Sequence, residues 1–172
     1  NFGEVGQNLS SDRFVSGYYY HGNVVAFIRF MNSNTAFAVS DDRIMFFSGS
    51  EKPLSSAVNF LNEEVQSVFY TDRYVGLVFL NTEGDGKYRL DIYDETGNLI
   101  NGKSFDMEYT NIIFDEDEYI IYSSTEYSIN NMHGTERFTG MFEENVYLLA
   151  TTRKRNRFLV MTQDAMKVME MK

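Results

Sequence analysis

Cysteine and tryptophan are absent from this chain of 172 residues, and proline occurs once. Without cysteine there is no disulfide framework, no thiolate nucleophile and no zinc–sulfur site. Long apolar runs are missing too, since no stretch approaches the roughly eighteen residues that a membrane-spanning helix needs. The chain opens with Asn1-Phe2-Gly3 rather than Met, so we expect any targeting segment to lie outside it.

Basic residues are in the minority. The chain has 15 Lys and Arg residues and 25 Asp and Glu residues, which gives a formal net charge of −10. Because the phosphate backbone is attracted by Lys and Arg, this balance disfavours nucleic acid as a partner.

Aromatic residues are abundant, with 15 Phe and 12 Tyr. Such side chains pack well on pleated surfaces and favour strands over helices. No long segment keeps a helical period of 3.6 residues. The chain length is that of one domain with a substantial core.

Apolar runs recur along the chain with a period of about forty residues. Each run is followed by a short polar break and a second apolar run. The runs start at Val24, Val65, Tyr109 and Val146, so the steps between them are 41, 44 and 37 residues.

The stretch "YRLDIYDETGNLI", Tyr88–Ile100, adds a third and a fourth strand to the second unit. Asp94 and Gly97 suit the turn between them, because Asp caps backbone amides and Gly accepts a positive φ. The third unit repeats the plan around Gly134, which lies 37 residues after Gly97.

Four short strands in each unit of about forty residues are typical of a β-propeller blade. A sandwich would also alternate strands and turns, but it would not require four positional classes that recur in phase. The sequence therefore predicts an all-β, propeller-like array of about four four-stranded antiparallel blades within a larger propeller. The units are predicted to start near residues 24, 65, 109 and 146. Core positions are predicted at Val25, Phe27, Val68, Ile112, Ile113 and Leu148.

The two ends of the array are incomplete. Residues 14–20 are predicted to form an outer strand without a blade of its own, and the last unit stops after three strands. Unpaired strand edges invite pairing. Three arrangements would satisfy them: a closed ring, a homodimer, or docking on missing N-terminal blades.

Three phrases, "NFGEVGQNLSSDRFVSG", "SVFYTDRYVGLVFLNTEGDGKYRLDIYD" and "SFDMEYTNIIF", resemble the C-terminal part of an uncharacterised family of bacterial propeller proteins. That family is found in Gram-positive gut bacteria and is distantly related to quinoprotein and WD-type repeats. The resemblance implies an extracytoplasmic propeller whose membrane anchor and earlier blades lie upstream. It implies no activity and no site residues. Quinoprotein repeats place Asp where Tyr93 stands and dock a Trp, so a pyrroloquinoline-quinone site is not expected.

The two histidines, His21 and His133, are interpreted as turn residues, because each lies next to a glycine. Two histidines cannot form a three-histidine metal site. No nucleophile turn of the form GxSxG supports a catalytic triad. We therefore predict no catalytic, cofactor-binding or metal-binding residues, and no cofactor.

Four other motifs have a functional and a structural interpretation, and we prefer the structural one in each case. Asp115–Glu118 could hold Ca²⁺ but is predicted to be an exposed turn, as is the basic cluster Arg153–Arg157. Asn81–Gly86 imitates the start of a calcium loop, yet its twelfth position is Ile92. Tyr18–Tyr20 could form a sugar platform, although alternate tyrosines on a strand face opposite ways.

The predicted function is a non-catalytic binding or scaffold module outside a bacterial membrane, with an unknown protein or glycan as ligand. One alternative is a glycan-acting hydrolase or lyase with a site in the propeller axis. Another is a purely structural half of a larger propeller. Fold alone does not choose among them, because propellers host both enzymes and interaction proteins.

Overall fold

The computed structural model describes residues 24–49, 54–82, 84–152, 154 and 156–170, and the backbone of four two-residue strands nearer the start. Every described element of regular structure is a β-strand, which confirms the all-β prediction. No helix that could cross a membrane occurs among these residues. The chain forms two compact units, Asn1–Ser104 and Phe105–Lys172.

The first unit begins with four short strands. They are β1 (Phe2–Gly3), β2 (Gln7–Asn8), β3 (Arg13–Phe14) and β4 (Tyr18–Tyr19). Strand β1 pairs with β4 and β2 pairs with β3, so one pair is nested inside the other. The described parts of the strand predicted over 14–20 thus pair with residues 2–8.

Two four-stranded antiparallel sheets complete the first unit. The first sheet consists of β5 (Val25–Phe30), β6 (Thr35–Ser40), β7 (Arg43–Ser48) and β8 (Leu54–Phe60). The second consists of β9 (Val65–Tyr70), β10 (Tyr74–Leu80), β11 (Tyr88–Asp94) and β12 (Leu99–Phe105). In both sheets the strands lie side by side in chain order.

The second unit holds a four-stranded and a three-stranded sheet, again in chain order. The third sheet consists of β13 (Asn111–Asp115), β14 (Glu118–Tyr122), β15 (Glu126–Asn131) and β16 (Glu136–Met141). The fourth consists of β17 (Leu148–Thr151), β18 (Arg157–Met161) and β19 (Met166–Glu170). The first strands of the four sheets begin within two residues of the predicted unit starts.

The second strand of each complete sheet is buried on both faces. All six residues of β6 and all five of β14 are buried, as are five of the seven in β10. A strand covered on both faces reads as a continuous apolar run rather than an alternating one. This burial explains why "TAFAVS", "YVGLVFL" and "EYIIY" carry so few charges.

Each unit has its core where one sheet packs on the next. In the first unit Phe37 and Phe46 of the first sheet join Leu77 and Phe79 of the second in one cluster. In the second unit a similar cluster consists of Ile120, Tyr122, Ile129, Leu149, Phe158 and Val160. The Tyr122 hydroxyl also accepts a hydrogen bond from the Leu149 N–H at 3.3 Å.

Five of the six predicted core residues contribute to packing. Ile112 is buried, and Val25, Phe27, Val68 and Ile113 are half-buried against the core clusters. The prediction for Leu148 is wrong, because its side chain is 47% exposed and Leu149 is the buried residue. Neighbouring residues of a strand face opposite ways, and Leu148 lies on the face directed away from the third sheet.

The same side-chain cap closes two equivalent turns. The Asp94 Oδ1 atom accepts the N–H groups of Thr96 and Asn98, each at 2.9 Å. In the third sheet Asn131 Oδ1 accepts the N–H groups of His133 and Thr135 at 3.0 and 2.9 Å. Gly97 and Gly134 supply the positive φ, 87° and 84°, that these turns need.

Candidate functional site

A groove opens beside the last sheet of the second unit. Its volume is about 300 Å³, and its apolar wall consists of Met141, Phe142, Val146, Val160, Val168 and Met169. Phe142 is held in place by Tyr127, whose ring centroid lies 5.0 Å away. The groove lies between the end of β16 and the outermost strand β19, so two sheets contribute to it.

The mouth of the groove is polar. Glu143, Glu144, Thr162 and Lys167 line it, and Lys167 Nζ donates to Glu144 Oε1 at 2.6 Å. This hydrogen bond lowers the pKa of Glu144 and raises the pKa of Lys167. Both side chains are about half exposed, so the pair is a surface contact that contributes little to stability.

The backbone of β19 borders the groove and is available for pairing. No described strand pairs with its outer edge. Thr162 N–H donates to the Ala165 carbonyl at 2.9 Å, which closes the hairpin between β18 and β19. Because hydrogen-bonded and non-hydrogen-bonded pairs alternate along an antiparallel ladder, the N–H groups of Met166 and Val168 point away from β18. The edge therefore offers donors and acceptors to an added strand.

A charged cluster lies in the first unit. Arg89 Nη1 donates to Glu63 Oε1 at 2.9 Å, and Arg89 Nε donates to Asp91 Oδ1 at 3.2 Å. Burial raises the pKa of Asp91, against the opposing effect of Arg89. Burial and the Asp91 charge likewise raise the pKa of Tyr93 to about 12. The Glu63 Oε2 atom is buried without a hydrogen-bond partner.

A pair of carboxylates is what a glycan hydrolase or lyase would require. Glu63 and Asp91 are two carboxylates in one cluster, yet both are bound to the same guanidinium, that of Arg89. The cluster thus resembles a structural ion-pair network more than an acid–base pair.

A polar cleft of about 360 Å³ also lies in the first unit, lined by residues that include Asn32, Ser48, Glu95 and Thr96. Asn32 Nδ2 donates to the Asp72 carbonyl at 3.1 Å and to Glu95 Oε2 at 3.2 Å. These contacts join the first sheet to turns of the second. The cleft is lined by short polar side chains and lacks the apolar wall that distinguishes the groove.

His133 lies in the exposed turn that was predicted for it, where its N–H donates to Asn131 Oδ1. His21 lies outside the described residues. Within the described part of the chain, no three His, Asp or Glu side chains lie close enough together to hold a metal ion.

The acidic stretch is only partly exposed. Glu116 and Asp117 are exposed and Asp115 is half-buried, but Glu118 is buried. Glu118 forms an ion pair with Arg137 of β16. The prediction that all four are exposed is therefore wrong at Glu118, because this residue already belongs to the doubly covered strand β14.

The other predicted turns are described in part. Asn81 Nδ2 donates to the Asp85 and Gly86 carbonyls at 2.9 and 3.0 Å, so its side chain closes the hairpin loop. In the basic cluster, Lys154 is exposed and Arg157 is half-buried, while Arg153 and Arg155 lie outside the described residues. Of Tyr18–Tyr20, the structure describes only the backbone of the first two residues.

The groove is the feature that sequence reasoning missed. Its wall combines the end of one sheet with the edge of the next, so its residues form no motif along the chain. The nearest signal is the missing fourth strand of the last unit, which indicates an open edge but not the cavity beside it.

Comparison with known proteins shows a family and a fold. The model described as a family of unknown function (DUF5711) matches residues 1–171. No curated protein matches the sequence.

Three solved structures are similar in fold. The computationally designed Ika8 protein has a TM-score of 0.60 and 13% identity, over 91% of this chain and 49% of its own. Hsv2 of Kluyveromyces marxianus has a TM-score of 0.55 and 8% identity, over 87% and 49%. Hsv2p of Kluyveromyces lactis has a TM-score of 0.53 and 8% identity, over 86% and 46%. The chain thus spans about half the length of these propeller-like structures, which confirms the predicted fold class.

Proposed function

Because the chain belongs to this family of unknown function and has a propeller-like fold, we propose that it is a non-catalytic binding or scaffold module. Its ligand is an extended segment of a partner protein, which lies along β19 and places a side chain in the adjoining groove. The observation that carries this proposal is the apolar groove next to an open strand edge.

The two features complement each other. An extended peptide that adds to a sheet edge gains main-chain hydrogen bonds, and pockets for alternate side chains give it specificity. The Met166 and Val168 N–H groups can form the main-chain hydrogen bonds. The apolar wall around Phe142 forms the side-chain pocket.

Selection of displayed random peptides tests this function. We expect enrichment of extended sequences with an apolar residue between polar ones. The variant Met141→Lys places a charge at the groove, where Met141 is 78% exposed, so the selected peptides should bind it at least about tenfold more weakly.

Leu99→Lys is the matched control, because Leu99 is also exposed, at 55%, and begins the outer strand β12 of another sheet. It should bind the peptides like the parent chain. Failure to enrich any peptide, or equal loss of binding in both variants, would show that the groove is not the binding site.

An extracytoplasmic location, with a membrane anchor upstream of residue 1, remains part of the proposal on the strength of the family resemblance. Fractionation of cells that produce the natural polypeptide tests it. Protease added outside intact protoplasts should degrade the propeller, while a cytosolic marker stays intact.

A structural role as half of a larger propeller is the second candidate. It is favoured by the lengths of the similar structures, of which this chain spans 49%, 49% and 46%. In that case amide exchange in β17–β19 should be much slower in a longer natural polypeptide than in residues 1–172 alone. Equal exchange in both would contradict the structural role.

A further inference from the structure

The polar cleft of the first unit lies where the first sheet meets a turn of the second. Its volume is about 360 Å³, which falls within the range of about 300–1,000 Å³ that is usual for small-molecule sites. The first sheet contributes Thr35, Ser48 and Ser56 to the lining, together with Asn34 from the turn between β5 and β6. Glu95 comes from the turn between β11 and β12. All of these residues belong to the first unit, so the cleft is a feature of one compact body.

The cleft forms because the side chains between the two sheets become small and polar there. Phe37 and Phe46 belong to the core cluster that joins the sheets. Every second residue of a strand lies on the same face, so Thr35 continues the face of Phe37 and Ser48 continues the face of Phe46. Thr35 and Ser48 are also opposite each other in the register. The cleft therefore adjoins a packed core, which fixes the position of its walls.

A β-bulge places Ser56 at the cleft. In the register of β7 and β8, Phe46 pairs with Ala57 and Phe47 pairs with Ser55, so Ser56 is the extra residue. Bulges redirect a side chain and are frequent beside functional sites. Ser56 lines the cleft, whereas Ser55 pairs with Phe47 of the cluster on the opposite face. Two neighbouring serines thus serve opposite sides of one strand.

Asn32 holds the two sides of the cleft together. Its Nδ2 group donates to the Asp72 carbonyl at 3.1 Å and to Glu95 Oε2 at 3.2 Å. Its Oδ1 atom accepts the Asn34 N–H at 2.9 Å. The turns that carry Asn34 and Glu95 are therefore tied to each other before any ligand arrives, which lowers the entropy that binding costs.

Polar groups in the cleft are left over for a ligand. Among the residues that the structure describes, no hydrogen bond involves the hydroxyls of Thr35, Ser48 and Ser56, the side-chain amide of Asn34 or the Oε1 atom of Glu95. Thr35 is only 7% exposed, and buried polar groups are normally hydrogen-bonded. A ligand that reaches the Thr35 hydroxyl would supply the missing bond.

We infer that the cleft binds a small, neutral, polyhydroxylated ligand, namely a sugar unit. Serine and threonine hydroxyls and a carboxamide each donate and accept, while a carboxylate accepts, so together they match the hydroxyl groups of a sugar. The described lining contains Glu95 and no Lys or Arg, which disfavours phosphate and other anions. It also offers no apolar wall, so an apolar ligand would gain little by entering.

The binding should be weak. Asn34, Ser48, Ser56 and Glu95 are exposed, so a sugar exchanges hydrogen bonds with water for hydrogen bonds with the protein, and the net gain of each is small. The described lining has no aromatic ring on which a sugar could pack. We therefore expect a dissociation constant in the millimolar range.

Titration with sugars, followed by amide NMR of the isotopically labelled chain, tests the inference. Glucose and N-acetylglucosamine are each added up to about 50 mM, well above a millimolar dissociation constant. The amide signals of Asn34, Ser48, Ser56 and Glu95 should shift and saturate. Cellotriose and chitotriose, the matching trisaccharides, distinguish the source of the sugar. Tighter binding of a trisaccharide identifies a unit of a glycan chain, and tighter binding of a monosaccharide identifies a free sugar; both results support the ligand class.

The variant Ser56→Leu should raise the dissociation constant about tenfold, because the larger side chain occupies the cleft. Ser55→Leu is the matched control, since Ser55 is also exposed and precedes Ser56 on the other face of β8. It should bind sugars like the parent chain. Glu95→Gln keeps an oxygen for Asn32 but removes the charge, so it should weaken binding about threefold without disturbing the fold.

Absence of a saturable shift with all four sugars would overturn the inference, as would equal effects of Ser56→Leu and Ser55→Leu. A larger response to ammonium chloride or to inorganic phosphate than to any sugar would overturn it too, because the cleft would then be an ion site. Ser56→Leu should leave binding of the selected peptides unchanged, and Met141→Lys in the groove should leave sugar binding unchanged. The sugar test and the peptide test can therefore fail separately.

Discussion

Gly97 of the second sheet lies close to side chains of the first sheet. A Cβ atom at this position would lie 2.5 Å from Ala57 Cβ and 2.7 Å from Phe46 Cδ2. The contact is reinforced by Asn59, whose Nδ2 donates to the Gly97 carbonyl at 2.8 Å. Gly97 therefore has two reasons to be glycine, a positive φ and a lack of space.

The variant Gly97→Ala should lose about 2–5 kcal/mol of unfolding free energy. About 1–2 kcal/mol comes from the left-handed backbone and about 1–3 kcal/mol from overpacking. Gly84→Ala is the control, because the φ of Gly84 is also positive, at 113°, but a Cβ atom there would lie 4.0 Å from Asn81 Nδ2, an ordinary contact distance. Gly84→Ala should lose only the about 1–2 kcal/mol that comes from the left-handed backbone conformation. Urea unfolding measures the loss of unfolding free energy in both variants. Equal losses would show that a Cβ atom at position 97 does not clash with the first sheet.

The stabilisation that Asp94 gives to the same turn depends on pH. Burial acts to raise the pKa of Asp94, but hydrogen bonds from Thr96 and Asn98 outweigh it and lower the pKa. A carboxyl whose pKa is lower in the folded state stabilises the protein above its unfolded pKa, and this contribution is lost as the pH falls through the folded value.

We therefore expect Asp94→Asn to lower Tm most at neutral pH. The difference from the parent chain should shrink as the pH falls below about 4, where the unfolded carboxyl is protonated. The fold should survive, since Asn131 holds the equivalent turn with an amide oxygen. Calorimetry at pH 7 and pH 3 tests this, and a difference that grows on acidification would contradict it.

The position of a strand in its sheet decides how deeply its side chains are buried, and therefore how costly an unpaired charge is there. The second strands β6, β10 and β14 are buried on both faces, whereas outer strands such as β8 and β16 are largely exposed. Glu118 shows the consequence, because it begins β14 and its side chain is only 11% exposed beside Arg137. A carboxylate in such a place depends on its cation far more than one at the surface does.

Arg137→Met should thus reduce the unfolding free energy by about 1–3 kcal/mol, the cost of leaving a buried charged group poorly compensated. Lys167→Met removes a cation from the half-exposed Glu144 at the mouth of the groove. It should leave the urea midpoint almost unchanged, because exposed ion pairs contribute little. Equal shifts in the two variants would mean that Glu118 is effectively solvated.

At the scale of the whole molecule, charge and exposed apolar surface act against each other. The net charge of −10 at pH 7 keeps copies apart, while exposed residues such as Met141, Phe60 and Met166 favour association. Repulsion disappears at the isoelectric point, for which the sequence gives a value near 4.6. Net charge near zero promotes association and precipitation.

Solubility should therefore pass through a minimum near pH 4.6, and light scattering across a pH series measures it. At that pH the variants Leu148→Lys and Leu80→Lys shift the isoelectric point equally. Any difference in scattering between them reports the exposed apolar surface around Leu148 rather than net charge. A solubility that falls continuously below pH 4.6 would point instead to acid unfolding.

The sequence alone determined the strands and their grouping. Recurrent apolar runs, with turns at Gly97 and Gly134, predicted four units and an incomplete last sheet, and the observed sheets have these strands. Strand pairing within the four larger sheets is local, since each strand there pairs with its neighbours along the chain. Local pairing depends on turn residues and on apolar periodicity, both of which can be read directly from a sequence.

Only the tertiary structure decided which face of each strand is covered and where a cavity forms. Leu148 and Leu149 are chemically identical neighbours, yet one is 47% exposed and the other 1%. Glu118 belongs to a run of four acidic residues, yet it is the one that is buried. These differences arise from the register between strands and from which sheet packs on which face. They involve residues far apart in the chain, such as Met141 and Met169 of the groove, which no local pattern connects.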